Sequence, residues 1–330
     1  MNHGEVLLRH LLAPLQAVLN TAGVTEVVCN QPGEIAIERY GVWEYLPAPE
    51  LTFDHLDAIG VLAGHALSKP FGPAAPVCLA ALPDGQRLTM CRPPVTENGT
   101  ISMTTRIPSK GERRLDDADF QSLVTYANTV NAQSVQRDKR LLELYRSGNW
   151  PSFLAEAVRS RKTIVVTGNT GSGKTSLIKR MMTSIPPEER IVTIQDTDEF
   201  GRISQIRNYV PLYYGSANVS ALDLAEVSLR MRPTRVLMQE LRGAEAFAYL
   251  RILLAGHAGS CTTIHSEMGV EAARHAMSVM VKTHPAGREI PDRQLDQLLG
   301  NLIDVVVHCT RNGDEFSIPY IWYRDAGEDQ

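Results

Sequence analysis

The spacing of apolar residues changes once along the chain. In the first part, leucines at 7, 8, 11, 12, 15 and 19 recur with helical period on one broad face, which predicts a helix over residues 4–20. Val24 to Cys29 alternates as a strand, Gln31-Pro32-Gly33 turns the chain, and Glu34 to Arg39 returns as a second strand. A third strand is centred on Trp43-Glu44-Tyr45, and residues 53–67 take up the helical period again. From 70 to 108, prolines and glycines punctuate the pattern. Leu82-Pro83-Asp84-Gly85 is a turn, Gln86 to Arg92 a strand, Glu97-Asn98-Gly99 a turn and Thr100 to Ile107 a strand. This mixture predicts an N-terminal α+β domain over residues 1–108.

The short basic stretch Ser109-Lys110-Gly111-Glu112-Arg113-Arg114 opens a linker region, residues 109–150, in which Asp116 to Tyr145 supplies one or two helices. Ser152 to Arg161 is a further helix and leads into a second domain, residues 151–330. From 163 onward strand and helix alternate. Strands are expected at Thr163 to Thr167, Arg190 to Ile194, Val236 to Met238 and Ser260 to Ile264, with helices near 220–231, 244–255, 269–281 and 292–302. The alternation predicts an α/β domain built on a mostly parallel sheet. A hairpin through Asn312-Gly313 closes the chain, joining Asp304 to Val307 with Phe316 to Trp322.

Within the second domain the strand at 163 runs into Gly168-Asn169-Thr170-Gly171-Ser172-Gly173-Lys174-Thr175, which matches the phosphate-loop pattern G-x-x-x-x-G-K-[ST], and Ser176 to Met182 continues as a helix. Glycines let the backbone wrap a polyphosphate with its N–H groups inward, and the helix N-terminus adds its dipole. Gly168, Thr170, Gly171, Ser172, Gly173, Lys174, Thr175 and Ser176 are therefore the expected nucleotide contacts. Lys174 is placed on the β and γ phosphates and the Thr175 hydroxyl on Mg²⁺. Three further clusters follow strands of the same domain. These are the acidic Gln195-Asp196-Thr197-Asp198-Glu199-Phe200, the apolar strand ending Gln239-Glu240-Leu241-Arg242, and Gly256-His257-Ala258-Gly259-Ser260-Cys261-Thr262-Thr263-Ile264-His265. A carboxylate beside a nucleotide can hold a metal-bound water or accept a proton, and a histidine at a strand end can contact a γ-phosphate.

Composition narrows the class. With 43% hydrophobic and 21% charged residues over 330 positions, two ordinary globular domains are expected. The formal net charge of −4 and 6% aromatic content give little support to a nucleic-acid-binding surface, so direct nucleic-acid contact is not expected. Five cysteines at 29, 78, 91, 261 and 309 contain no C-x-x-C pair, which points to free thiols in a reducing compartment and to no zinc framework. No apolar run approaches the ~18 residues of a membrane span, and the expectation is a cytoplasmic protein.

The order of these clusters, from the phosphate loop and acidic box to Arg230-Met231-Arg232-Pro233 with Glu240-Leu241-Arg242-Gly243 and Gly256 to His265, resembles the secretion ATPase superfamily. Thr25 to Glu34 with Trp43, and Leu82 to Arg87 followed by Arg92-Pro93-Pro94, resemble the N-terminal domain of its type IV secretion traffic ATPases. The resemblance implies a RecA-like P-loop ATPase domain and a homo-hexameric ring that hydrolyses ATP with Mg²⁺ to drive substrate transfer, conjugation or pilus biogenesis. It implies partners among the other ATPases and inner-membrane components of such a system, on the cytoplasmic face of that membrane. It also implies roles for Glu199 as general base, Glu240 as the Walker B acid holding Mg²⁺ through water, and His265 as a γ-phosphate contact. Arg106, Arg92 and Arg113 become candidates to touch the phosphates. Gln195 stands where the family usually has an acid, which shifts the base to Glu199 with Asp198 in reserve. The neighbouring reading is a pilus retraction or type II secretion motor, and beyond it stand a nucleotide-gated scaffold and a DNA translocase.

Overall fold

The computed structural model describes residues 3–108 and 117–327. In chain order the elements are α1 (His3–Leu11), α2 (Gln16–Leu19), β1 (Val24–Gln31), β2 (Gly33–Arg39), β3 (Val42–Ala48), α3 (Phe53–His65), β4 (Val77–Ala81), β5 (Arg87–Cys91) and β6 (Ser102–Arg106). They continue with α4 (Asp117–Arg146), α5 (Trp150–Arg159), β7 (Ile164–Gly168), α6 (Lys174–Met182), β8 (Ile191–Gln195), β9 (Tyr209–Tyr213), α7 (Ala221–Ser228), β10 (Arg235–Met238) and β11 (Glu240–Leu241). The last are α8 (Glu245–Leu254), β12 (Cys261–Ile264), α9 (Val270–Val281), α10 (Pro285–Arg288), α11 (Asp292–Leu302), β13 (Val305–Asn312) and β14 (Glu315–Tyr323). The chain forms two compact units, one of residues Met1–Ser109 with Pro187–Gln239 and one of Lys110–Pro186 with Glu240–Gln330.

In the first unit, β1 to β6 make an antiparallel sheet in the order β3-β2-β1-β6-β5-β4. The two-residue period of a strand sends Val27 and Cys29 to one face, where they join Leu88, Met90 and Met103 under the helical residues Leu8, Leu12, Leu15, Leu19, Leu56 and Ile59. The expected helix over 4–20 is interrupted by a 3₁₀ turn over Ala13–Leu15, because Pro14 has no N–H to continue it. Thr52 caps α3, its hydroxyl accepting from the His55 N–H at 3.2 Å.

The alternate residues of β1 and β6 carry a polar layer. Arg190, fully buried, donates to Met231 O at 2.7 Å, Asn30 Oδ1 at 2.7 Å and Thr104 Oγ1 at 3.2 Å, and also to Asn208 Oδ1. Its guanidinium lies 5.9 Å from the Trp43 ring centroid. Arg232 pairs with Glu38, Arg207 with Glu34, and the Tyr213 N–H donates to Val95 O at 2.8 Å. Strand–helix alternation alone groups 187–239 with the C-terminal domain; these bonds are what gather it with the N-terminal residues. The segment has its own parallel sheet, β10-β8-β9, and Arg235 makes a buried bidentate pair with Glu189 at 2.5 and 2.9 Å.

The second unit is a five-stranded sheet in the order β11-β12-β7-β13-β14, parallel except for the closing hairpin. β7 is central and buried along its whole length, as a strand covered on both faces should be. Asp117–Arg146 is a single helix rather than two. Its last turn is fixed by Tyr145, which packs edge-on against Trp150 and Phe153 and donates from its hydroxyl to Ile321 O at 2.9 Å. No helix among the described residues is long and apolar enough to cross a membrane.

Candidate nucleotide site

The second unit brings the phosphate loop, Glu240 and His265 together. The loop leaves β7 at Gly168, whose φ of +138° is a glycine conformation and whose Cβ, if present, would stand 2.1 Å from Cys309 O on β13. It enters α6 through Gly173 at φ +87°, with no side chain capping the helix. The first-turn N–H groups of a helix have no intrahelical acceptor, so an uncapped start beside a glycine-rich loop is a ready anion cradle. Ser172 is buried and its Oγ has no hydrogen-bond partner, an orphan that a phosphate oxygen would satisfy. Lys174 is buried as well, and its Nζ donates to Gly168 O at 2.8 Å and Asn169 O at 3.0 Å. Loop, orphan hydroxyl and inward ammonium together fit a polyphosphate.

Parallel pairing sets the other two groups. β11 pairs Glu240 with Thr263 of β12, and His265 follows β12 directly, so their side chains meet. His265 Nε2 is 2.7 Å from Glu240 Oε1, and its Nδ1 is 3.4 Å from Lys174 Nζ. An ammonium donates and cannot accept, so Nδ1 is the acceptor and Nε2–H donates to Glu240. The other carboxylate oxygen, Oε2, accepts from Arg242 Nε at 2.6 Å. Arg242 is itself oriented by a turn in which Gly243 N–H donates to Glu245 Oε1 at 2.6 Å and Arg242 N–H donates to the same oxygen. Glu240 is thus held at both oxygens.

Below the loop, Thr167 Oγ1 and His308 Nδ1 are 2.7 Å apart in register between β7 and β13. Burial, and then the Lys174 ammonium, push the His308 imidazole below its ordinary value. All five cysteines are buried free thiols, and burial pushes Cys309 up to about 11 and Cys29 and Cys91 up to about 12. They are packing residues rather than nucleophiles.

The remaining candidates among the described residues belong to the first unit. The acidic box is in the first unit, with Glu199 exposed at its turn. Gln195 is fully buried there, its Oε1 accepting from the N–H groups of Glu199 at 3.2 Å and Phe200 at 2.9 Å and its Nε2 donating to Thr193 Oγ1 at 3.1 Å. Three neutral bonds of this kind suit an amide, which donates and accepts, better than an acid. Gln239, the residue after β10, braces the box, its Oε1 accepting from Asp196 N–H at 3.2 Å. The Gln195 departure from the family pattern therefore has a structural task, and Gln239 supports the same turn. Arg92 is paired with Asp57 and flanked at 5.7 Å by the Phe53 and Phe71 rings, inside the first unit. Arg106 ends β6 with its side chain 67% exposed, 3.8 Å from Glu26, whose carboxyl burial pushes up to about 7. Arg113 lies outside the described residues. The contacts of Arg242, Glu245, His308 and Phe316 are not readable from the sequence pattern; for Arg242 the available signal is its place two residues after Glu240, just past the end of β11.

A central strand, a glycine loop closing on a lysine, and an acid and histidine from the strands beside it define a P-loop nucleotide-binding protein with a RecA-like domain. Residues 129–311 match the Type II/IV secretion system protein family. The chain is 37% identical over 322 residues to the type IV secretion system protein VirB11 of Brucella suis, covering 94% of this chain and 89% of that protein. It is 35% identical over 323 residues to the VirB11 protein of Agrobacterium tumefaciens, covering 96% and 93%. It is 36% identical over 331 residues to the type IV secretion system protein PtlH of Bordetella pertussis, covering 96% and 95%. The crystal structure of the Brucella suis VirB11 ATPase in complex with sulphate superposes with a TM-score of 0.91 at 36% identity, covering 98% of this chain and 96% of that one. The chain belongs to the type II/IV secretion system family, in its VirB11-like branch of type IV secretion ATPases.

Proposed function

We propose that this chain hydrolyses ATP with Mg²⁺ and works as a homo-hexameric ring motor of a type IV secretion system. The observation that carries the reading is the chain of contacts Lys174, His265, Glu240 and Arg242 beside a cradle shaped for phosphate. In this reading the loop N–H groups and Lys174 Nζ bind the β and γ phosphates, and Ser172 Oγ gains its missing partner. Thr175 would hold Mg²⁺ directly and Glu240 would hold it through water; the ion supplies charge neutralisation across the phosphates. His265, which accepts from Lys174 at Nδ1 and donates to Glu240 from Nε2, is the proposed γ-phosphate contact. Glu199 is the proposed general base. Of the arginines, Arg106 is the first candidate for an anionic contact, because its side chain is exposed and only loosely paired with Glu26, whereas Arg92 is held against Asp57. The cytoplasmic face of the inner membrane, beside the other ATPases and membrane components of the system, is the proposed place of work.

Glu240→Gln keeps the shape of the site and removes its negative charge. ATP binding by calorimetry should stay within about threefold while phosphate release falls about a hundredfold, the size of effect usual for one electrostatic group in a site. Wild-type turnover in Glu240→Gln would remove Glu240 from the chemistry. Unimpaired secretion by a variant that binds but cannot hydrolyse would favour a nucleotide-gated scaffold over a motor.

A further inference from the structure

The closing hairpin places an aromatic ring beside the phosphate loop. In the β13–β14 register Arg311 stands opposite Phe316, and its guanidinium lies 4.9 Å from the ring centroid. Arg311 is fixed there by its Nε, which donates to Gly313 O at 2.7 Å, and by an ion pair with Asp314. The edge of the ring rests on Gly173, where a Cβ would come within 3.1 Å of it. Phe316 is nevertheless 60% exposed, and Ile318, two residues along the same face of β14, is 43% exposed. A large apolar ring braced by a cation and left open next to a polar cradle is poorly explained as packing.

Strand order says which end of a nucleotide would meet it. Glu240 and His265 lie on the β11–β12 side of β7, and the hairpin lies on the other side. Lys174 Nζ reaches His265, so the terminal phosphate belongs at the β12 side of the loop. The nucleoside must then leave the cradle on the opposite side, toward β13 and β14. We propose that Phe316, braced by Arg311, is the platform on which the purine ring of the nucleotide stacks. The ring supplies a flat apolar face, and Arg311 lies over the ring and holds it in place, an arrangement suited to any purine and indifferent to the phosphates.

This inference rests on the nucleotide-binding reading above, and the test separates the two. Mg²⁺-ATP and inorganic tripolyphosphate are titrated by calorimetry into the full chain and into Phe316→Ala and Phe316→Trp, with ATP kinetics on the same samples. Phe316→Ala should bind ATP about tenfold more weakly, with KM raised to match and kcat within twofold, while tripolyphosphate binding is unchanged. Phe316→Trp should restore ATP binding, and its added indole fluorescence should be quenched by ATP and not by tripolyphosphate. Unchanged ATP binding in Phe316→Ala overturns the proposal. So does an equal loss of both ligands, which would mean that the ring only props the loop at Gly173. A wild-type chain that binds neither ligand would overturn the nucleotide-binding reading itself, and this proposal with it.

Discussion

A Lys174→Ala chain should lose ATP turnover by about a thousandfold, close to the limit of detection in a phosphate-release assay. Lys174 is buried at the head of α6 with its ammonium turned into the loop, on the carbonyls of Gly168 and Asn169 and 3.4 Å from His265. Alanine removes the positive charge that would face the β and γ phosphates. It also leaves His265 without its donor, so the link to Glu240 is cut in the same step. The fold should survive, because α6 keeps Ile178, Met181 and Met182 buried against the unit's core. Circular dichroism should therefore match wild type while turnover disappears. Retention of a tenth of the wild-type rate would mean that the chemistry lies outside this loop.

The largest expected effect on stability is at Arg235. Its guanidinium is fully buried and pairs in two-pronged fashion with Glu189, itself 5% exposed, at the edge of the β10-β8-β9 sheet. Cutting one partner from a buried pair leaves the other charge without compensation, which costs about 3–5 kcal/mol. Arg235→Ala should lower the urea midpoint of the first unit accordingly. The double variant Arg235→Met, Glu189→Leu should recover most of the loss, since no charge remains unpaired. A single variant within 1 kcal/mol of wild type would show that the pair contributes little.

What the sequence made legible is local. The phosphate loop could be read because its backbone conformation, glycine positions and flanking periodicities all fall within about twenty consecutive residues. The same holds for the hairpin at Asn312-Gly313. Edge elements were harder. β9 carries Pro211 and β4 sits between prolines and a turn, and both are edge strands, where such residues are tolerated and the apolar pattern is short. Long-range pairings were not legible at all. Nothing in the local pattern pairs Arg92 with Asp57, 35 positions earlier. Gln195 reads as a missing acid until its amide is seen holding the Glu199 turn. The grouping of 187–239 with the N-terminal residues depends on Arg190, a residue that looked like the first position of an ordinary strand.

Whether the chain works as a ring motor is decided by ATPase rate per subunit against protein concentration, with light-scattering mass on the same samples. For a ring motor the specific rate rises as a mass near six subunits appears, and Lys174→Ala stays about a thousandfold lower at every concentration. A rate independent of concentration from a chain that stays monomeric would contradict it.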